Sequence, residues 1–178
     1  MSEESATAFH KLVSAMRTSQ KEFWRTRNKY ALKQSIELEK RVDETIMEAN
    51  ASDVPDNENG KFFLEVAQLR TTTKLYFAEK KKRDADKEKI NAWFKSIKDG
   101  ESKVDKMLVK WFDELAIKEG KRIVWHVMER FPNAKEARSI FDNTDEQMAR
   151  IELNDHLRNP ACPGTMYFIA KEYKEVKK

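Results

Sequence analysis

The sequence predicts an all-α protein: two related helical hairpins, made by an internal duplication, followed by a smaller helical C-terminal segment. Three observations lead there. First, FHKLVSAMRTSQKEFW at residues 9–24 aligns without a gap with FFLEVAQLRTTTKLYF at residues 62–77. Phe9, Val13, Arg17, Thr18 and Lys21 fall on Phe62, Val66, Arg70, Thr71 and Lys74. Second, the apolar residues of both copies recur at steps of three and four, which draws one stripe along a helix and cannot draw an alternating strand. Third, the 178 residues contain only four Gly and four Pro. So little punctuation favours long helices over a sandwich or barrel.

In chain order, the first helix carries Phe9, Leu12, Val13, Met16, Phe23 and Trp24 and is expected from about residue 5 to 25. Arg17 lies at the edge of its stripe. Thr26 to Lys29 is a polar turn. The second helix, residues 30–50, carries Leu32, Ser35, Leu38, Val42 and Ile46 at helical steps. Residues 1–50 form the first hairpin unit, because a short break between helices makes antiparallel neighbours. ASDVPDNENG, residues 51–60, is the clearest linker.

Residues 61–119 read as the second hairpin unit, with an insertion. LEKRVDETI at 38–46 matches GESKVDKML at 100–108 at an offset nine residues larger than that of the first block. An inserted helix is expected around Ile90, Trp93, Phe94 and Ile97, with Asp84 as its N-cap. Asp99-Gly100 suits a C′ glycine or a kink. Val104, Met107, Leu108, Trp111, Phe112 and Leu115 continue the amphipathic run.

Residues 120–178 have no copy elsewhere in the chain. Ile123, Val124, Val127, Met128 and Phe131 suggest a short helix ended by Pro132, and Asn133 a helix through Phe141. Thr144-Asp145-Glu146-Gln147 is a capping box opening another helix. NPACPG at 159–164 is a loop. TMYFIA at 165–170 could be a strand, but with KEYKEVKK after it a last helix is preferred.

Each arginine at a stripe edge can clamp its hairpin. Arg17 is expected to pair with Asp43 or Glu39, and Arg70 with Asp105, since both partners survive the duplication. Trp24 and Phe77, if they are core, would each cost about 3–5 kcal/mol on truncation to alanine.

Charge is distributed unevenly around a net +4. From His10 to Arg41 there are nine Lys or Arg against three Glu, whereas Val42 to Gly60 has six acids and no Lys or Arg. Such a dipolar surface can steer a charged partner. Lys21, Arg25, Arg27, Lys29 and Lys33, interleaved with Phe23, Trp24 and Tyr30, are the candidate contacts for nucleic acid or another partner. Their helical spacing equally suits rings buried in a core.

Chemistry has less to recommend it. HExxH, a glycine-rich phosphate loop, GxSxG and a cysteine pair are all missing, and His126 and His156 stand outside any metal-ligand spacing. No cofactor, metal or catalytic residue is expected, and the chain reads as a non-enzyme. The single Cys162 permits no internal disulfide, the start MSEESATAF lacks an apolar run, and no stretch is long enough to span a bilayer. A cytoplasmic protein without a membrane contact is expected.

The first unit is also similar to a recurring pattern in small proteins of Bacteroidetes phages and mobile elements. The pattern is met at Phe9, Leu12, Val13, Met16, Arg17, Gln20, Lys21, Phe23, Thr26, Arg27, Leu32, Ser35, Leu38, Glu39, Val42, Asp43 and Ile46, and departs at His10, Ser19 and Trp24. It covers about a quarter of the chain. The resemblance implies a phage or bacterial-host setting and no activity. Together these readings give a non-enzymatic protein-interaction module, an accessory protein engaging a host protein. The alternative is a nucleic-acid-associated protein using the basic first hairpin.

Overall fold

The computed structural model describes residues 2–49 and 54–176. It divides into two compact units, Met1–Lys110 and Trp111–Lys178, each taken by itself below. Among the described residues no helix is long and apolar enough to cross a membrane.

The first unit is helical. α1 spans Glu3–Thr26, α2 Lys29–Glu48 and α3 Glu58–Lys80. α4, Lys87–Lys118, contributes its first part. The ends are written in local chemistry. Ser2 Oγ accepts from the Ser5 N–H at 3.1 Å, and Glu3 and Glu4 sit at the positive end of the α1 dipole. Asn28 Oδ1 accepts from the Tyr30 N–H at 2.8 Å and opens α2. Asn57 caps α3. Asp86, rather than Asp84, caps α4 by accepting from the N–H groups of Glu88 and Lys89. Part of the expected linker, residues 51–53, lies outside the described residues.

Gly100 neither ends nor interrupts a helix; α4 runs through it unbroken. A Cβ there would lie 3.3 Å from Leu69 Cδ1. The missing side chain lets α4 approach α3 closely, so the inserted helix and the second half of the hairpin are one helix.

The core follows the repeat. Phe9, Val13 and Met16 of α1 are buried, as are their equivalents Phe62, Val66 and Leu69 of α3. Val42 of α2 and Val104 of α4 are both fully buried. The contacts between copies are reciprocal. Phe9 meets Phe63 with ring centroids 4.9 Å apart, and His10 stacks on Phe62 at 4.0 Å. Residue 9 against 63 is the same contact as 62 against 10, with the copies exchanged. Phe9 and Phe62, themselves equivalent, meet edge to face at 6.0 Å. This is the self-complementary pattern of a two-fold interface, here between two parts of one chain.

The stripe's last aromatics are not core. Trp24 is 59% exposed and its equivalent Phe77 51%. Tyr30 is 73% exposed. These rings lie at the ends of their helices, beyond the neighbours that cover the middle of the stripe. Trp24→Ala and Phe77→Ala are therefore expected to change stability by less than about 1 kcal/mol, as surface substitutions do. A denaturant melt of each variant checks this.

The second unit corrects the all-α expectation. It holds a three-stranded antiparallel sheet in the order β2-β1-β3: β1 Lys121–Arg130, β2 Arg138–Asn143 and β3 Met166–Glu175. The expected helices at 123–131 and 165 onward are β1 and β3, and the one expected at 133–141 is turn and bend up to 137 and then β2. The physical reason lies in β1. Ile123, Val124, Trp125 and Val127 are β-branched or aromatic residues that fit a pleated surface. A short run apolar on both faces satisfies the strand and helix periods alike. α5, Glu146–Arg158, is the one expected helix that forms here, opened by Asp145. Its fully buried Ala149 belongs to the core of this unit, and the helix packs against all three strands.

Candidate functional site

The duplicated arginines are the best-defined polar feature of the first unit, and their partners are exchanged relative to expectation. Arg17 does not pair with Asp43. Its Nε donates to Asp105 Oδ1 at 3.0 Å and its Nη2 to Oδ2 at 3.2 Å, while Nη1 donates to Glu101 at 2.8 Å. Arg70 makes the equivalent set: Nε and Nη2 to Asp43 at 2.9 and 3.0 Å, and Nη1 to Glu39 at 2.9 Å. Lys21 adds to Asp105 at 2.9 Å and Lys74 to Asp43 at 3.0 Å. Each clamp thus joins the first helix of one copy to the second helix of the other. Its physical reason is the two-fold exchange seen in the core, which brings α1 beside α4 and α3 beside α2.

Both guanidinium groups are more than nine-tenths buried. Burial works against their charge, but the facing carboxylates outweigh it and hold both above the ordinary arginine value. Burial likewise opposes ionisation of Asp43 and Asp105. Hydrogen bonds from Arg70 and Lys74, and from Arg17 and Lys21, more than offset it, so both carboxyls sit below the usual range. Symmetry breaks at one point. Gln20 accepts from Arg17 and donates to Glu39, wiring the two clamps together. Its equivalent, Thr73, bonds back to the Leu69 carbonyl instead.

Beside each clamp is an open cleft. One, of about 390 Å³, is lined by Ile36, Glu39, Lys40, Asp43, Glu44, Met47, Arg70 and Lys74. The other, of about 530 Å³, is lined by Arg17, Lys98, Glu101, Ser102, Asp105, Lys106 and Val109. Position by position, 36, 39, 40, 43, 44 and 47 correspond to 98, 101, 102, 105, 106 and 109. Met47 and Val109 close equivalent edges and are exposed. Leu32 and its equivalent Phe94 are exposed as well.

The candidate contact residues gather where α1 turns into α2. Arg27 holds a left-handed conformation, φ 56° and ψ 22°, and its N–H closes α1 on the Phe23 carbonyl. Its guanidinium lies 4.5 Å from the Trp24 ring centroid and 5.7 Å from that of Phe23. Arg25 is paired with Glu22. Lys29 and Lys33 are exposed. Lys21 is instead committed to Asp105, so it belongs to a clamp.

Sequence reasoning missed a polar network in the second unit. His126, on the central strand, presents Nδ1 to Asp142 of β2 at 2.6 Å and Nε2 to Glu172 of β3 at 3.0 Å. The ring thus bridges a carboxylate on each edge strand and ties the two strands together. The β1–β2 register shifts between Val127 and Met128, which lets Ser139 reach the same carboxylate as His126. On the same sheet, buried Glu129 accepts from Arg138 and Tyr167. Asp113 accepts from Tyr173, and burial with this carboxylate pushes the phenol up to about 12. His156 stacks on Tyr167 and pairs with Glu152, while Cys162 meets Thr165. Only the spacing Asp142, Glu172 about a central His126 could have signalled this network, and it becomes readable only once the strands are assigned. Among the described residues no group of three or more His, Cys, Asp or Glu is placed to hold a metal ion.

Comparison of the chain with protein-family models, with curated proteins and with solved structures gives no match.

Proposed function

We propose that the protein is a non-enzymatic interaction module, an accessory protein of phage or mobile-element origin that engages a protein of its bacterial host in the cytoplasm. The supporting observation is the repeat of an exposed apolar side chain at the edge of equivalent clefts: Met47 on α2 and Val109 on α4. Exposed positions are free to change after a duplication, and apolar groups there favour aggregation. Their recurrence at matching places on a helix face is the composition of a protein-docking surface. The phage and host setting rests on the resemblance of the first hairpin.

The test is affinity capture from a Bacteroidetes lysate, split into nuclease-treated and untreated halves, with mass spectrometry of the bound material. A host protein retained in both halves, and lost with the Met47→Ser/Val109→Ser variant, is the expected result. Absence of any protein retained after nuclease, or retention of every such protein by the double variant, overturns the proposal.

A further inference from the structure

The two turns of the helical unit repeat a second arrangement that the docking surface does not use. At the end of α1, Phe23 and Trp24 have ring centroids 5.4 Å apart, and Arg27 lies over both. At the end of α3, the equivalent Tyr76 and Phe77 lie 5.0 Å apart, and Lys80, equivalent to Arg27, sits 5.4 Å from the Tyr76 ring. Phe94 extends the second cluster, 6.1 Å from Tyr76, with Lys98 over it. Both clusters are open to solvent at Trp24, Phe77 and Phe94.

Around them the charge is basic. Arg27, Lys29 and Lys33 form no ion pair or side-chain hydrogen bond among the described residues. Lys80, Lys81, Lys82 and Arg83 follow the second cluster in sequence. The backbone adds an independent sign. Arg27 occupies the left-handed helix-capping position where glycine is the favoured residue. An arginine there is strained, and what it gains is a guanidinium laid on an exposed indole.

We propose that the two turns are stacking platforms for single-stranded nucleic acid. Flat exposed rings accept any base on their faces, and the flanking cations meet phosphates. An acidic peptide would satisfy the cations and leave the rings unused. A duplex would offer phosphates but keep its bases stacked on one another.

The experiment is fluorescence anisotropy of the intact protein with labelled oligothymidylate and oligouridylate of roughly 20 nucleotides, a duplex of the same length and polyglutamate, at about 50 mM salt. Both single strands are expected to bind more tightly than duplex or polyglutamate. Trp24→Ala/Phe77→Ala is expected to weaken binding by about tenfold or more, since each lost ring removes a stacking contact. Arg27→Gly, which suits the left-handed position and so preserves the cap, should weaken binding while leaving the melting curve in place. Absence of single-strand binding, equal binding of polyglutamate, or indifference to the ring substitutions overturns the proposal. Met47→Ser/Val109→Ser should leave oligonucleotide binding intact, so this site and the protein-docking surface fail or stand separately.

Discussion

Arg17→Ala is expected to destabilise the helical unit by about 3–5 kcal/mol, and Arg70→Ala by a similar amount, because each leaves carboxylates facing a hole where a buried cation stood. The exchanged pairing makes this prediction sharper than a simple loss. A double-mutant cycle on Arg17 and Asp105 should return a coupling of about 1–3 kcal/mol, whereas the cycle on Arg17 and Asp43 should return almost none. If the clamps closed within each hairpin, the result would be reversed. Chemical denaturation of the four variants of each cycle decides between them.

The same clamps set an acid limit. Asp43 and Asp105 titrate lower in the folded protein than in the unfolded chain. Their contribution is therefore fully present above the usual carboxylate range. It is lost as pH falls through the folded values, below about pH 4. The wild-type melting temperature should fall there, and the Asp43→Asn/Asp105→Asn variant should show a flatter acid limb.

Phe62→Ala should cost about 3–5 kcal/mol, the range for an aromatic truncated in a packed core. Phe62 is 1% exposed and touches both Phe9 and His10. It sits where the two copies of the repeat meet, so its loss also loosens the exchange that the clamps depend on. Phe9→Ala should behave alike. Set beside the near-neutral Trp24→Ala, Phe9→Ala separates core from surface on the single amphipathic stripe of α1. Melts of the three variants measure the difference directly.

Much of the helical unit is legible in the sequence. The repeat alignment marks Phe9, Val13 and Met16 with Phe62, Val66 and Leu69, and these are the buried residues. It also marks Arg17, Asp43, Arg70 and Asp105 as charged groups worth keeping. Of the candidate contacts, Arg27 lies at the end of α1 and Lys29 and Lys33 in the start of α2, while Arg25 pairs with Glu22 and Lys21 serves a clamp. The reading fails where two arrangements have the same one-dimensional description. Arg17 beside Asp43 and Arg17 beside Asp105 are chemically identical pairs, because the duplication supplies each partner twice.

The C-terminal unit fails for a related reason. Ile123, Val124, Val127 and Met128 fit a helix face and a strand equally well. What selects the strand is β3, which arrives from 36 to 54 residues further along the chain, as Arg130 opposite Met166 and Lys121 opposite Glu175 set the limits. That non-local ladder also creates the His126 network, whose three members are scattered in sequence.

By itself, then, the sequence determined the helical periodicity of the first unit, the duplication and the middle of each stripe that the core buries, Phe9, Val13 and Met16 with Phe62, Val66 and Leu69. Those properties are local, or are fixed by a pattern of spacing that every helix must obey. Tertiary structure alone decided which copy completes each clamp, which end of the stripe stays exposed at Trp24 and Phe77, and that the last third folds as a sheet. Each of those depends on which distant segment arrives to cover an apolar face or satisfy a backbone, and spacing along one chain carries no record of that choice.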